Sequence, residues 1–269
     1  MALPINYSTF MCRHSWTTNQ EVPPNVIQTV SSVEVHDGNE QHSMKSSLAP
    51  LYDLLLAQGR KIEILKKHKL GLLQQLLPQL GETMPKLRFP EFQDSSVWTQ
   101  VSLGNAFRVI KNGNADTSGH QDDGLYPFFD RINVSNKSQT FLFDAEAVIL
   151  LFEGKKVHPH YYKGKFNLHQ RAYALMEPVV EPRFAFYLLD RFKAILAYRV
   201  SLPTSQTLKI SLIEKFYISV PNSHAEQHKI ADCLTSLDTI INAEVDKLEA
   251  LQLHKQGLIQ KLTPKLYHK

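Results

Sequence analysis

Apolar residues return at alternating steps of three and four along two distant stretches of the chain. Leu48, Leu51, Leu55, Ile62, Leu65, Leu72 and Leu76 do so in the first, and Leu234, Leu237, Ile241, Leu248, Leu251, Leu258 and Leu262 in the second. That spacing predicts helices with a narrow apolar seam, the form a helix takes when it packs along a partner helix. The stretches are also copies of one another. KIEILKKHKLGLLQQLLPQL (61–80) and KLEALQLHKQGLIQKLTPKL (247–266) share eleven of twenty residues at an offset of 186. Polar residues break the seam at equivalent places, Gln58 with Glu244 and Lys69 with Lys255, which fixes register at some cost in stability. Ser223 with Glu226 has the spacing of a capping box, and Pro78 and Pro264 follow the last seam leucines. An ordinary core helix explains one such stripe. Two copies with the same register, breaks and terminal proline point to a paired spacer, a rod of roughly 45 Å at 1.5 Å per residue.

Between the helices the pattern changes. Short β-like runs appear, such as AVILLF (147–152) and KFYISV (215–220), separated by turn-rich pieces at 111–124 and 133–139. A helix is predicted within 182–198, where apolar residues cover one broad face. The expected fold class is therefore α+β: one mixed α/β domain (81–221) flanked by two long helices (48–80 and 222–269). Residues 1–47 are polar with Val- and Pro-containing scraps. They are expected to be irregular, with a possible strand at 30–35.

Composition adds limits rather than a function. With 269 residues the chain has length enough for a core without staples. Cys12 and Cys233 match no zinc or redox spacing, and no run approaches a membrane helix. A cytoplasmic protein is expected. The formal net charge of +4 is mild. It is nonetheless local, because residues 86–220 hold seventeen basic and thirteen acidic side chains.

The densest candidate chemistry is KKVHPHYYKGKFNLHQR (155–171), which has five Lys or Arg and no acid. Lys155, Lys156, Lys163, Lys165 and Arg171 can neutralise phosphates, while Tyr161, Tyr162 and Phe166 can pack beside sugar or base. Gly164 allows a turn to approach a groove. Lys111, Arg131 and Gln170 are donors of the same kind. A solvated basic hairpin has the same composition, so both readings stand. His158 and His160 share one side of a strand and, with His169, have the donors of a metal site, although Pro159 counts against a regular strand. The better account of these histidines is a surface among lysines. Asp144 with Glu153 and Lys155 has the layout of a metal-dependent nuclease. The pattern is short and common in charged proteins, and the acids would have to converge on one ion. No phosphate loop, nucleophile elbow or cofactor fingerprint occurs.

The helical stretches at 61–92 and 225–262 resemble the conserved regions of type I restriction-modification specificity subunits. The segments LYPFFD (125–130), FDAEAVILLFEGKK (143–156), FNLHQRAYAL (166–175) and SQTLKISLIEKFYISVP (205–221) fall in the order of that family's target recognition domain. The resemblance implies a non-catalytic subunit of bacteria or archaea. Its central domain would read one half of a split DNA target, with His158 and His160 joining the basic residues above. Its helices would form an antiparallel coiled coil, act as a ruler and dock methyltransferase and restriction subunits. S-adenosylmethionine, Mg²⁺ and ATP would belong to those partners, with no cofactor in this chain. A full subunit of the family alternates two recognition domains with two helices, whereas this sequence shows one domain. That departure suggests a half-subunit, working as a homodimer, or a truncated product. The rival readings are the nuclease above and a coiled-coil interaction protein without DNA recognition.

Overall fold

The computed structural model describes residues 38–262 except 117–120, 122, 131–135 and 202–205, and it describes no side chains for 38–47, 201, 206–208 and 262. The expected strand at 30–35, Arg131 and the side chain of Leu262 lie outside the described residues. Among these residues the chain forms two compact units, 71–234, and 38–70 with 235–262.

In chain order the elements are α1 (Gly38–Leu76), a 3-10 turn (Pro90–Phe92), β1 (Thr99–Ser102), α2 (Leu103–Ala106), β2 (Phe107–Asn112), β3 (Tyr126–Phe129), β4 (Lys137–Ser138), β5 (Phe143–Glu153), β6 (Lys156–Leu168), β7 (Tyr173–Pro178), α3 (Pro182–Ser201), α4 (Gln206–Glu214), β8 (Tyr217–Val220) and α5 (His224–Leu262). The domain is of mixed α and β type. Helix α1 begins at Gly38, ahead of the first seam leucine, so the end of the segment read as irregular is helical. The residues of those first turns are almost all polar, so no apolar period marks them in the sequence.

Six strands pair in the order β2-β7-β5-β6-β3-β4, and β1 pairs with β8 as a separate ribbon. All pairs are antiparallel except β3 with β6. An isolated parallel bridge, Ala115 to His169, ties the chain after β2 to the chain after β6, so the sheet curls back on itself. The apolar run at 147–151 is buried throughout because both faces of β5 are covered. On one face Val148, Leu150, Val157, Tyr173 and Leu175 pack with Phe184, Leu188 and Leu189 of α3. On the other, Ala147, Ile149, Leu151, Phe166, Ala174 and Met176 surround Phe129. Strand β6 runs through Pro159, against the sequence expectation. Pro159 pairs with Leu150 on one side, and β3 reaches β6 only at Asn167 and Leu168, so no neighbouring strand there needs the missing N–H.

Buried ionic contacts fasten this unit. Arg88 donates to both oxygens of Glu226, at 2.7 Å each, and to the carbonyls of Ser95 and Ser96 at 2.8 and 3.1 Å. The indole of Trp98 donates to the same carboxylate at 3.3 Å. The Ser223 backbone carbonyl accepts the N–H of Glu226 at the start of α5, and the Glu226 side chain goes to Arg88 and Trp98, which the capping-box spacing did not foretell. The ends of the seams are also drawn into this core: Leu73, Leu76, Leu77, Ile230 and Leu234 all pack in it.

In the helical unit Ile62, Ile241 and Val245 are buried together, with Leu65 and Leu248 against them. Every described seam residue is buried or half-buried. The Gln58 amide donates to the carbonyl and carboxylate of Glu244 at 2.8 and 2.7 Å. These two residues are 186 apart, the offset of the repeat itself. Lys69 pairs with Asp238 at 2.6 Å. Applying the offset to that pair yields Lys255 and Tyr52, and Lys255 Nζ indeed stands 4.5 Å from the centre of the Tyr52 ring. The contacts are thus related in pairs about Gln58 and Glu244.

Candidate nucleic-acid interface

The basic run 155–171 folds into a turn, a long strand and a second turn, and its side chains part company accordingly. Strand periodicity sends alternate residues to opposite faces. Tyr162 therefore points inward with Phe166, where both rings meet Phe129 edge-on at 5.3 and 5.7 Å. His160 lies opposite Ile149, with its ring 6.3 Å from that of Phe129 and its Nε2 atom closed off from solvent without a hydrogen-bond partner. Burial, reinforced by neighbouring His158, pushes the His160 pKa down to about 4, so the ring is neutral at physiological pH. His158 lies 3.4 Å from Glu153, and burial lowers its pKa too. Tyr162 is thus buried, against the expectation that it packs beside sugar or base, and His158 and His160 are half-buried rather than a surface among lysines.

Tyr161 and Lys163 share one acceptor. The Tyr161 hydroxyl donates to Glu146 Oε1 at 2.6 Å, and Lys163 Nζ donates to Oε2 at 3.2 Å. Burial, followed by this hydrogen bond, raises the Tyr161 pKa. Nothing in the sequence announced Glu146 as their partner, because the contact depends on strand register. Lys165 sits opposite Asp144, 4.7 Å over the ring of Phe141. Gly164 between them has a φ of +131°, a backbone shape that side-chain-bearing residues seldom adopt, within the curled strand. Lys155 and Lys156 are exposed at the β5–β6 turn.

The backbone segments that carry Lys111, Gln170 and Arg171 meet at the end of the curled sheet, where β2 pairs with β7 and Gly113 N–H donates to Ala172. The Gln170 N–H donates to the Ala115 carbonyl at 2.7 Å, and Asn112 Nδ2 donates to the carbonyls of Gly113 and Gln170 at 2.9 and 3.3 Å. A Cβ on Gly113 would stand 1.9 Å from the Leu168 carbonyl oxygen, so only glycine permits this approach. The Asn-Gly dipeptide at 112–113 was visible as a turn signal, but its partner segment was not.

The nuclease layout does not assemble. Asp144 and Glu153 stand near opposite ends of β5, nine residues and about 30 Å of strand apart, and point to opposite faces. His169 is likewise separate from His158 and His160: its Nδ1 accepts from the Arg171 N–H at 3.1 Å, and its Nε2 is 3.9 Å from Asp130. Among the described residues no group of three or more His, Cys, Asp or Glu could hold a metal ion. No described helix is long and apolar enough to cross a membrane.

Residues 95–253 match the family model of the type I restriction modification DNA specificity domain. A curated relative, the type I restriction enzyme EcoDI specificity subunit of Escherichia coli, is 29% identical over 157 residues, covering 57% of this chain and 33% of the relative. The chain thus spans about a third of that protein. Among solved structures, the S subunit of a type I restriction-modification system from M. genitalium superposes with a TM-score of 0.63 at 17% identity, over 86% of this chain and 62% of that one. The HsdS subunit from Thermoanaerobacter tengcongensis gives 0.51 at 14%, over 83% and 57%. These likenesses extend the family match to the fold.

Proposed function

The chain belongs to the family of type I restriction-modification DNA specificity domains, and from that premise we propose that it is the DNA-reading, non-catalytic part of such a system. The observation that carries this reading is the match across 95–253, which takes in the sheet domain and its exposed cations. Phosphate contacts supply salt-dependent affinity, and fewer side chains at base edges supply preference. The two 39-residue helices form an antiparallel coiled coil that spaces the domain and docks methyltransferase and restriction subunits. Two features support the pairing: Gln58 bonds its own repeat equivalent, Glu244, and the Lys69 and Lys255 contacts correspond under the same offset. Adenine methylation with S-adenosylmethionine, and cleavage with Mg²⁺ and ATP, reside on those partners. Two copies of the chain supply two reading domains, which demands a palindromic split target.

Co-expression with a methyltransferase subunit of the same system, followed by mapping of methylated adenines, tests partner and recognition together. A single enriched split motif is the expected outcome. Methylation that follows no motif, in a complex that forms, would leave only a docking role for the chain.

A further inference from the structure

Which of the exposed donors grip DNA can be argued from what already occupies them. Lys163 and Tyr161 are held by Glu146 and Lys165 lies over Phe141, while Lys155 and Lys156 are exposed on the β5–β6 turn. Lys111, Gln170 and Arg171 are exposed, and their side chains have no partner among the described residues. Their backbone, in contrast, is tied on every side. Gly113 N–H donates to Ala172, Gln170 to Ala115, Ala172 to His169 and His169 to Phe129, at 3.2, 2.7, 2.9 and 2.9 Å. The Asn112 amide closes the corner by bonding the carbonyls of Gly113 and Gln170. A tied backbone spares the segment its own ordering cost on binding and leaves only that of the side chains, which favours contact with a fixed polyanion.

Resting on the DNA reading above, we propose that this corner is a phosphate clamp. Lys111 and Arg171 each neutralise one backbone phosphate, the Gln170 amide donates an uncharged contact, and Asn112 is a positioning residue that holds the turn. Arginine suits the role because its planar fork matches phosphate oxygens, and lysine because a point charge needs little angular precision. Contacts of this kind set where the domain lies on the duplex and carry no sequence preference of their own.

The test uses the full chain and a pool of random duplexes, with affinity followed by anisotropy between about 50 and 200 mM salt. Lys111→Ala and Arg171→Ala should each lower the slope of log affinity against log salt by about 1, leaving the enriched motif as in the wild type. Arg171→Lys keeps the charge and should retain the slope. Gln170→Ala should weaken binding with no change in slope. Asn112→Ala should reduce the slope by less than either cation loss, whereas a lowered melting temperature with the wild-type slope would show a merely structural role. An unaltered slope in the Lys111→Ala, Arg171→Ala double variant overturns the clamp while leaving the DNA reading intact. A motif changed at a base position with the slope unaltered also overturns it, in favour of base readout. A wild-type chain that binds no duplex removes the DNA reading and the clamp with it.

Discussion

The sheet domain buries rings, among them Trp98, Tyr173, Tyr187, Phe166 and Phe184, whereas the helical unit buries Leu55, Ile62, Ile241 and Val245 with Gln58 and Asn242 among them. Large rings fill a curled sheet from both faces and make a core in which each position meets several neighbours. A narrow seam offers each residue few neighbours, so polar contacts such as Gln58 with Glu244 set which residues meet. The domain therefore gains rigidity from packing, and the helices gain register from polarity. The proposed clamp draws its donors from the former. The proposed spacer is built from the latter.

Breaking the buried ion pair of the domain should have the largest effect. Glu226→Ala leaves the Arg88 guanidinium and the Trp98 N–H buried without their acceptor and should cost about 3–5 kcal/mol, read from urea denaturation. Acid should find the next weakness in the same region. His160 is neutral in the fold with a pKa of about 4 against an ordinary 6.5, held down chiefly by burial, with His158, Asp190 and Lys193 acting on it more weakly. As pH falls the unfolded chain takes up this proton first. Stability from His160 is then full above about pH 6.5 and declines towards pH 4, by at most roughly 3 kcal/mol. His160→Asn should flatten that part of the pH profile, and an unchanged profile would show that the ring is not buried neutral. The smallest effect belongs to the helices. Gln58→Ala removes the amide bonds to Glu244 but leaves Lys61 beside that carboxylate, so a loss of about 1 kcal/mol is expected, measured by thermal melting. A loss as large as that of Glu226→Ala would erase the contrast between the regions.

The two regions were also unequally legible. The helices could be read almost residue by residue, since a 3-and-4 period and an internal copy are properties of the string itself. The runs at 147–152 and 215–220 lie in or overlap β5 and β8, and the helix expected within 182–198 is α3. The basic run misled on Tyr162 and His160 because composition does not record which way a strand's side chains point. Asn112 and Glu146 escaped notice for a related reason. Their partners lie 58 and 15 residues away along the chain, joined by strand pairing and the curl of the sheet.

What the sequence alone determined is the plan: two repeated helices around a mixed α/β domain, and the family that this plan resembles. Periodicity and repetition survive in one dimension because each helix imposes its own geometry on neighbouring residues. The tertiary structure decided which donors remain free. It turned Tyr162 inward, half-buried His160, gave Lys163 to Glu146, and drew together the backbone segments that carry Lys111, Gln170 and Arg171. Those outcomes follow from register and curvature, which arise only when strands distant in the chain meet and each side chain's neighbours are fixed.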